Sequence, residues 1–83
     1  MSRARFWCFT LNNPTEEERV KLVALDGDNT LEYLVFGNEV GANGTPHLQG
    51  FVAFVARVRL NQIKQVIGER AHFEVAKYPE KAA

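Results

Sequence analysis

The 83 residues suffice for one small domain and not for two. Apolar residues make up 46% and charged residues 24%, globular proportions that exclude a wholly disordered chain. Ten Lys and Arg balance ten Asp and Glu, so there is no bulk positive charge to hold duplex DNA non-specifically. The single cysteine excludes an internal disulfide or a zinc–cysteine cluster. No apolar run approaches the ~18 residues of a membrane span, and no signal peptide opens the chain.

In chain order, Arg5 to Leu11 is rich in aromatics and reads as a strand with Trp7, Phe9 and Leu11 on one face. Asn12-Asn13-Pro14 ends it, because proline removes a donor and restricts the residue before it. Thr15 to Glu18 forms the T-x-x-E capping box, and Val20, Val23 and Ala24 follow at helical spacing. Turn formers at Asp26-Gly27-Asp28-Asn29 stop that helix. Leu31 to Glu39 predicts a second strand, Gly41 to Gly44 a hairpin-type loop, and His47 to Val55 a third strand. Leu60, Ile63, Lys64 and Ile67 mark a second helix closed by Gly68, and Ala71 to Val75 a fourth strand. The order predicts an α+β fold, a ferredoxin-like or RRM-like β-α-β-β-α-β antiparallel sheet with both helices on one face.

Alternation sorts the strand residues between a helix-covered face and an open one. Trp7, Phe9, Leu11, Leu34, Phe36, Leu48, Val52, Phe54, Phe73 and Val75 fit the covered face. Thr10, Asn12, Tyr33, Val35, Glu39, His47, Gln49, Phe51, His72 and Glu74 point the other way. Cys8 shares that alternation, but reads as a small buried apolar residue with no cation beside it.

His47 and Gln49, two apart on one strand, project from the same face, and the hairpin brings Glu39 beside His47. One imidazole nitrogen, one amide oxygen and one carboxylate form an oxygen-rich set suited to Mg²⁺ or Mn²⁺ and poorly matched to structural zinc. The same spacing also describes a hairpin with a surface Glu and a hydrogen-bonded His. Thr10, Asn12 and Asn13 offer uncharged groups for bases and phosphates, though Asn-Asn-Pro is also a strand terminator on its own. Arg3, Arg5, Arg57, Arg59 and Lys64 add local positive charge, or are scattered solubilising charge.

Phe9-Thr10-Leu11-Asn12-Asn13-Pro14, then Glu39, then Pro46-His47-Leu48-Gln49-Gly50-Phe51 resemble the first two motifs of the replication initiator (Rep) proteins of circoviruses, nanoviruses and related circular single-stranded DNA viruses. The resemblance runs in register from Trp7 to Lys77. It implies an HUH endonuclease domain over residues 1–83, with Gln as the second member of the pair. Such a domain nicks single-stranded DNA at a viral origin stem-loop, links to the 5′ phosphate through a tyrosine and rejoins ends.

The resemblance further implies a divalent metal, Mg²⁺ or Mn²⁺, held by Glu39, His47 and Gln49, and DNA contacts from Phe9, Thr10, Leu11, Asn12 and Asn13; Arg57 is added to the expected DNA contacts as local positive charge. It implies a host-nuclear location, no membrane, and oligomers only in a longer chain. The family's third motif is a helix with Tyr-x-x-Lys, which Tyr78-Pro79-Glu80-Lys81 matches in letters. Pro79 disfavours a helical conformation at Tyr78 and suits the first turn of a helix, so the nucleophile is expected beyond Ala83, with Tyr78 as the catalytic candidate inside the chain. The alternative reading is an RRM-like module that holds single-stranded nucleic acid without cutting it, which predicts exposed stacking aromatics on the central strands.

Overall fold

The computed structural model describes residues 3–41 and 44–76. Six elements follow in order: β1 (Arg3–Asn12), α1 (Glu16–Ala24), β2 (Leu31–Val40), β3 (Pro46–Arg59), α2 (Leu60–Ile67) and β4 (His72–Val75). The sheet order is β2-β3-β1-β4 with every neighbouring pair antiparallel, the ferredoxin-like arrangement expected from the sequence. The two central strands are therefore β1 and β3, which carry the Phe9–Asn12 and Pro46–Phe51 motif residues, while Glu39 lies on the edge strand β2.

The core lies between the sheet and both helices. Trp7, Phe9 and Leu11 from β1, Leu48, Val52 and Phe54 from β3, and Phe73 from β4 meet Leu22 of α1 and Ile63 and Ile67 of α2 in one buried cluster. Period-2 alternation in the strands and i, i+4 spacing in α2 put these side chains on facing surfaces. Leu34 and Phe36 of β2 pack against the cluster half-buried. Val75 faces the same way, opposite Trp7, yet stays 45% exposed as the last residue of the edge strand.

β3 runs four residues past the expected end at Val55. The register between β1 and β3 shifts between the Phe6↔Ala53 and Ala4↔Val58 pairs, so β3 inserts extra residues there and resumes pairing up to Arg3↔Arg59. A bulge of this kind keeps a strand going where simple alternation breaks down.

α1 opens on the predicted capping box: Glu18 N–H donates to Thr15 Oγ1 at 3.1 Å and Thr15 N–H to Glu18 Oε1 at 2.8 Å. Glu18 has a second partner that the sequence hides. Arg70, in the α2–β4 connection, reaches both carboxylate oxygens through Nε and Nη2 at 2.8 Å each. The same Nη2 donates to the carbonyls of Asn12 and Asn13 at 3.1 Å. One guanidinium thus ties the end of β1, the start of α1 and the approach to β4 together.

Hydrogen bonds from Arg70, and then from Thr15, hold the Glu18 carboxyl down to about 2 from its ordinary 4.5. Folding therefore favours the charged form. The resulting stabilisation is fully present above pH 4.5 and is lost as pH falls through about 2. Because Arg70 is half-exposed, we expect Glu18→Gln to cost only about 1 kcal/mol at neutral pH. Thermal melts of both proteins should converge as pH drops across that window. A gap that stays constant with pH would assign the effect to packing instead.

Candidate functional site

The pairing registers lay out the open face row by row. Glu39, His47 and Asn12 form one row across β2, β3 and β1, with Glu39 and Asn12 each directly opposite His47. The next row is Gly37, Gln49, Thr10 and His72, and the third is Val35, Phe51, Cys8 and Glu74. Tyr33, Ala53 and Phe6 form the fourth. Directly opposed residues share a face with Cβ atoms ~5 Å apart. Glu39, His47 and Gln49 are thus adjacent, flanked on the β1 side by Asn12 and Thr10.

His47 is half-buried, while Glu39 and Gln49 are exposed. Nδ1 of His47 lies 3.5 Å from the Thr45 carbonyl oxygen, a long contact that favours the tautomer with the proton on Nδ1 and leaves the Nε2 lone pair for a ligand. Gly37, opposite Gln49, has nothing within 4 Å of where a Cβ would stand, so the β2 side of this row is open. Among the described residues no three His, Cys, Asp or Glu side chains gather as a metal-holding group. A cation here would take its third protein donor from the Gln49 amide oxygen and the rest from water. That is a hard, oxygen-rich shell, and the three residues fit Mg²⁺ or Mn²⁺ on those terms.

The first motif divides between the two faces. Phe9 and Leu11 are 1% and 2% exposed, so their side chains belong to the core and are not available to contact DNA. They shape the site by fixing the strand that presents Thr10 and Asn12. Asn13 adopts φ 49° and its N–H donates to the Pro46 carbonyl at 2.9 Å. Asparagine tolerates this left-handed conformation, which closes the end of β1 onto the start of β3, the residue before His47.

Arg57 does not join this group. It stands ten residues along β3 from His47, up to ~33 Å at strand rise, and is exposed. His72 and Glu74 pair with each other at 3.6 Å on the edge strand, where His72 closes the Gln49 row two strand spacings, ~10 Å, from Gln49 itself. Cys8 is exposed, not buried, because its position in the alternation turns it to the open side. Tyr78, the catalytic candidate, lies outside the described residues.

Phe6 is the site-face residue that sequence reasoning missed. Its ring stacks on Phe51 with centroids 6.2 Å apart and planes 13° apart, and Tyr33 tilts against Phe51 at 6.1 Å. The Arg5 guanidinium sits 5.0 Å over the Phe6 ring, and Arg5 also pairs with Glu32. Alternation from Cys8 and Thr10 was the available signal, since it puts Phe6 on the same side. These three aromatics continue the open face below the polar rows, with Tyr33 55% exposed.

A family model described as a viral replication protein matches residues 4–83. The chain is 51% identical over 74 residues to a replication-associated protein of pigeon circovirus, covering 89% of this chain and 23% of that one. It is 47% identical over 76 residues to the replication-associated protein of beak and feather disease virus, covering 92% of this chain and 26% of the relative. It is 46% identical over 74 residues to Para-Rep C2 of subterranean clover stunt C2 alphasatellite, covering 89% and 26%. The chain spans about a quarter of the length of these relatives. With the motif rows assembled across β2, β3 and β1 and the family match running through nearly all of its length, the chain belongs to the Rep family of circular single-stranded DNA viruses.

Proposed function

We propose that this chain is the nicking and joining domain of a viral replication initiator, acting on single-stranded DNA at an origin stem-loop with the help of a divalent cation. The observation that carries the reading is the placement of Glu39 directly opposite His47, with Gln49 two residues on and Asn12 and Thr10 on the adjacent strand.

Each residue has a defined job in this reading. His47 contributes a neutral nitrogen, Glu39 the single negative charge, and Gln49 an oxygen that adds no charge. A 2+ ion in such a set keeps a net positive charge, which suits an anionic phosphate. A cation held by Glu39, His47 and Gln49 would supply Lewis-acid polarisation at the scissile phosphate. Thr10 and Asn12 hydrogen-bond the strand and set the phosphate's orientation, while the Phe6–Phe51–Tyr33 surface stacks neighbouring bases. A tyrosine C-terminal to β4 attacks phosphorus, the bond to the 3′ oxygen breaks, and the phenol proton is balanced by the released 3′ hydroxyl. A phenol of pKa ~10 is a weak nucleophile, which is why the site needs a positive centre beside the phosphate.

The aromatic surface favours a second reading, a module that binds single strands by stacking and cuts nothing. One gel separates the two. A single-stranded oligonucleotide carrying a circovirus-like origin is incubated with this chain, and with the chain extended by ~15 residues (about four helical turns). Metal-dependent cleavage with a covalent adduct is expected from the extended chain. Adduct from the unextended chain that disappears on Tyr78→Phe would put the chemistry on Tyr78, and adduct that survives that change would put it on another group, the exposed Tyr33 first. Binding by both without cleavage by either would overturn the nuclease reading in favour of the binding module.

A further inference from the structure

Arginines are unevenly partnered among the described residues. Arg5 pairs with Glu32, Arg70 with Glu18, and Arg19 donates to Asn38 Oδ1 at 2.7 Å. Arg3, Arg57 and Arg59 form no ion pair among the described residues, yet they converge with Asn61 and Gln62 on one depression at the far end of β1 and β3. Arg3 stands directly opposite Arg59, and both flank the Ala4–Val58 pair that packs on the core, so they turn away from it. Like charges directly opposed across a sheet are destabilising.

The surroundings make the depression more anion-seeking. α2 begins there with no acidic residue in its first turn, leaving the positive end of its dipole unneutralised. Gln62 Oε1 accepts from the Arg59 backbone N–H at 2.8 Å, so the amide group left over on Gln62 is a donor. Three guanidinium groups, a donor amide and a helix start face the same space in a chain whose net charge is zero. A general solubilising role would not concentrate unpaired cations at one point.

We propose that Arg3, Arg57 and Arg59 form a second phosphate-binding surface, remote from the Glu39–His47–Gln49 rows, that holds the DNA backbone flanking the segment at those rows. This rests on the reading that the chain holds DNA. The ligand chemistry is a run of backbone phosphates, from either a single-stranded extension or the stem of a hairpin. Arg57 and Arg59 stand ten and twelve residues along β3 from His47, at most ~33 Å and ~40 Å, so a strand of about four nucleotides held at the polar rows engages them less than a longer one.

The test is DNA binding by fluorescence anisotropy across a salt series, comparing the wild type with Arg57→Gln/Arg59→Gln and with the milder Arg3→Gln. The probes are a single strand of about four nucleotides, one of about fifteen, and a hairpin with a single-stranded tail. For the double variant we expect roughly tenfold weaker binding of the probe that reaches the surface. Its salt slope should flatten by about 0.7 per arginine for a single strand, or about 0.9 for duplex. Binding of the shortest strand should weaken less. The melting temperature of the DNA-free variant should rise by roughly 2–4 °C, because opposed like charges have been removed.

An unchanged slope with both long probes, or equal weakening on the short and long strands, would overturn the proposal while leaving the nicking site standing. A wild type that binds none of the probes would overturn the DNA-holding reading itself, and this surface with it.

Discussion

Gly50→Ala is expected to lower the melting temperature by roughly 10–20 °C; Gly27, Gly37, Gly44 and Gly68 have open space where a Cβ would stand, and Gly50 does not. A Cβ at Gly50 would stand 2.4 Å from Phe9 Cζ, 2.6 Å from Phe9 Cε1 and 2.7 Å from the Val35 carbonyl oxygen. Neither neighbour can give way cheaply. The Phe9 ring is fully buried against Phe73, and Val35 is backbone in the paired β2 strand. Gly50 lies opposite both Phe9 and Phe36, so the missing side chain is the space into which the Phe9 ring folds. Overpacking of this kind costs about 2–3 kcal/mol where the surroundings are fixed. Adding Phe9→Leu to Gly50→Ala should recover only part of the loss, since the carbonyl contact remains. Full recovery would show that the ring alone sets the requirement. A Gly50→Ala protein with unchanged stability would mean that the strand shifts to make room.

The second large effect is on metal affinity and leaves the fold alone. Glu39→Ala and His47→Ala should each weaken Mn²⁺ binding by at least ~100-fold, because even partners one step removed from a metal are worth 10–100-fold. Both side chains are outside the buried core, so melting temperatures in the absence of metal should stay within a few degrees of the wild type. Gln49→Ala should cost less, since a neutral amide oxygen contributes no charge and a water can replace it. Calorimetric titration with Mn²⁺ reads all three. Retained affinity in both Glu39→Ala and His47→Ala would remove these residues from the metal site. Stacking-driven affinity for single-stranded DNA should survive in the same variants, which keeps metal binding and DNA binding separately measurable.

The fold was legible because its signals are local and periodic. Alternation in Trp7-Cys8-Phe9-Thr10-Leu11 sorted core from open face correctly, and the T-x-x-E box placed the start of α1 at the observed position. The adjacency of Glu39 and His47 was legible for the same reason, since a hairpin fixes register over a short loop. Features that depend on distant partners were not. Nothing local to Arg70 reveals that it reaches Glu18 and two carbonyls more than fifty residues away. The bulge that carries β3 on to Arg59 breaks alternation where the sequence offers no Gly or Pro to announce it. Phe6 lies on the regular side of that bulge, where alternation from Cys8 and Thr10 does place it on the open face, but its stacking on Phe51 depends on a partner forty-five residues away. Cys8 was misjudged because a cysteine's usual burial competed with its position in the alternation.

Between Pro46 and Val52 the strand interleaves two kinds of residue one for one. His47, Gln49 and Phe51 look outward, while Leu48, Gly50 and Val52 face inward to the core. A saturation scan of this stretch would consequently read as a comb. Changes at the inward positions would deplete the protein from the cell, whereas changes at the outward ones would leave abundance intact and, on the proposed function, cost activity instead. A one-residue insertion would exchange the teeth of that comb, losing folding and function together, so this short segment has almost no neutral path by which its length can drift.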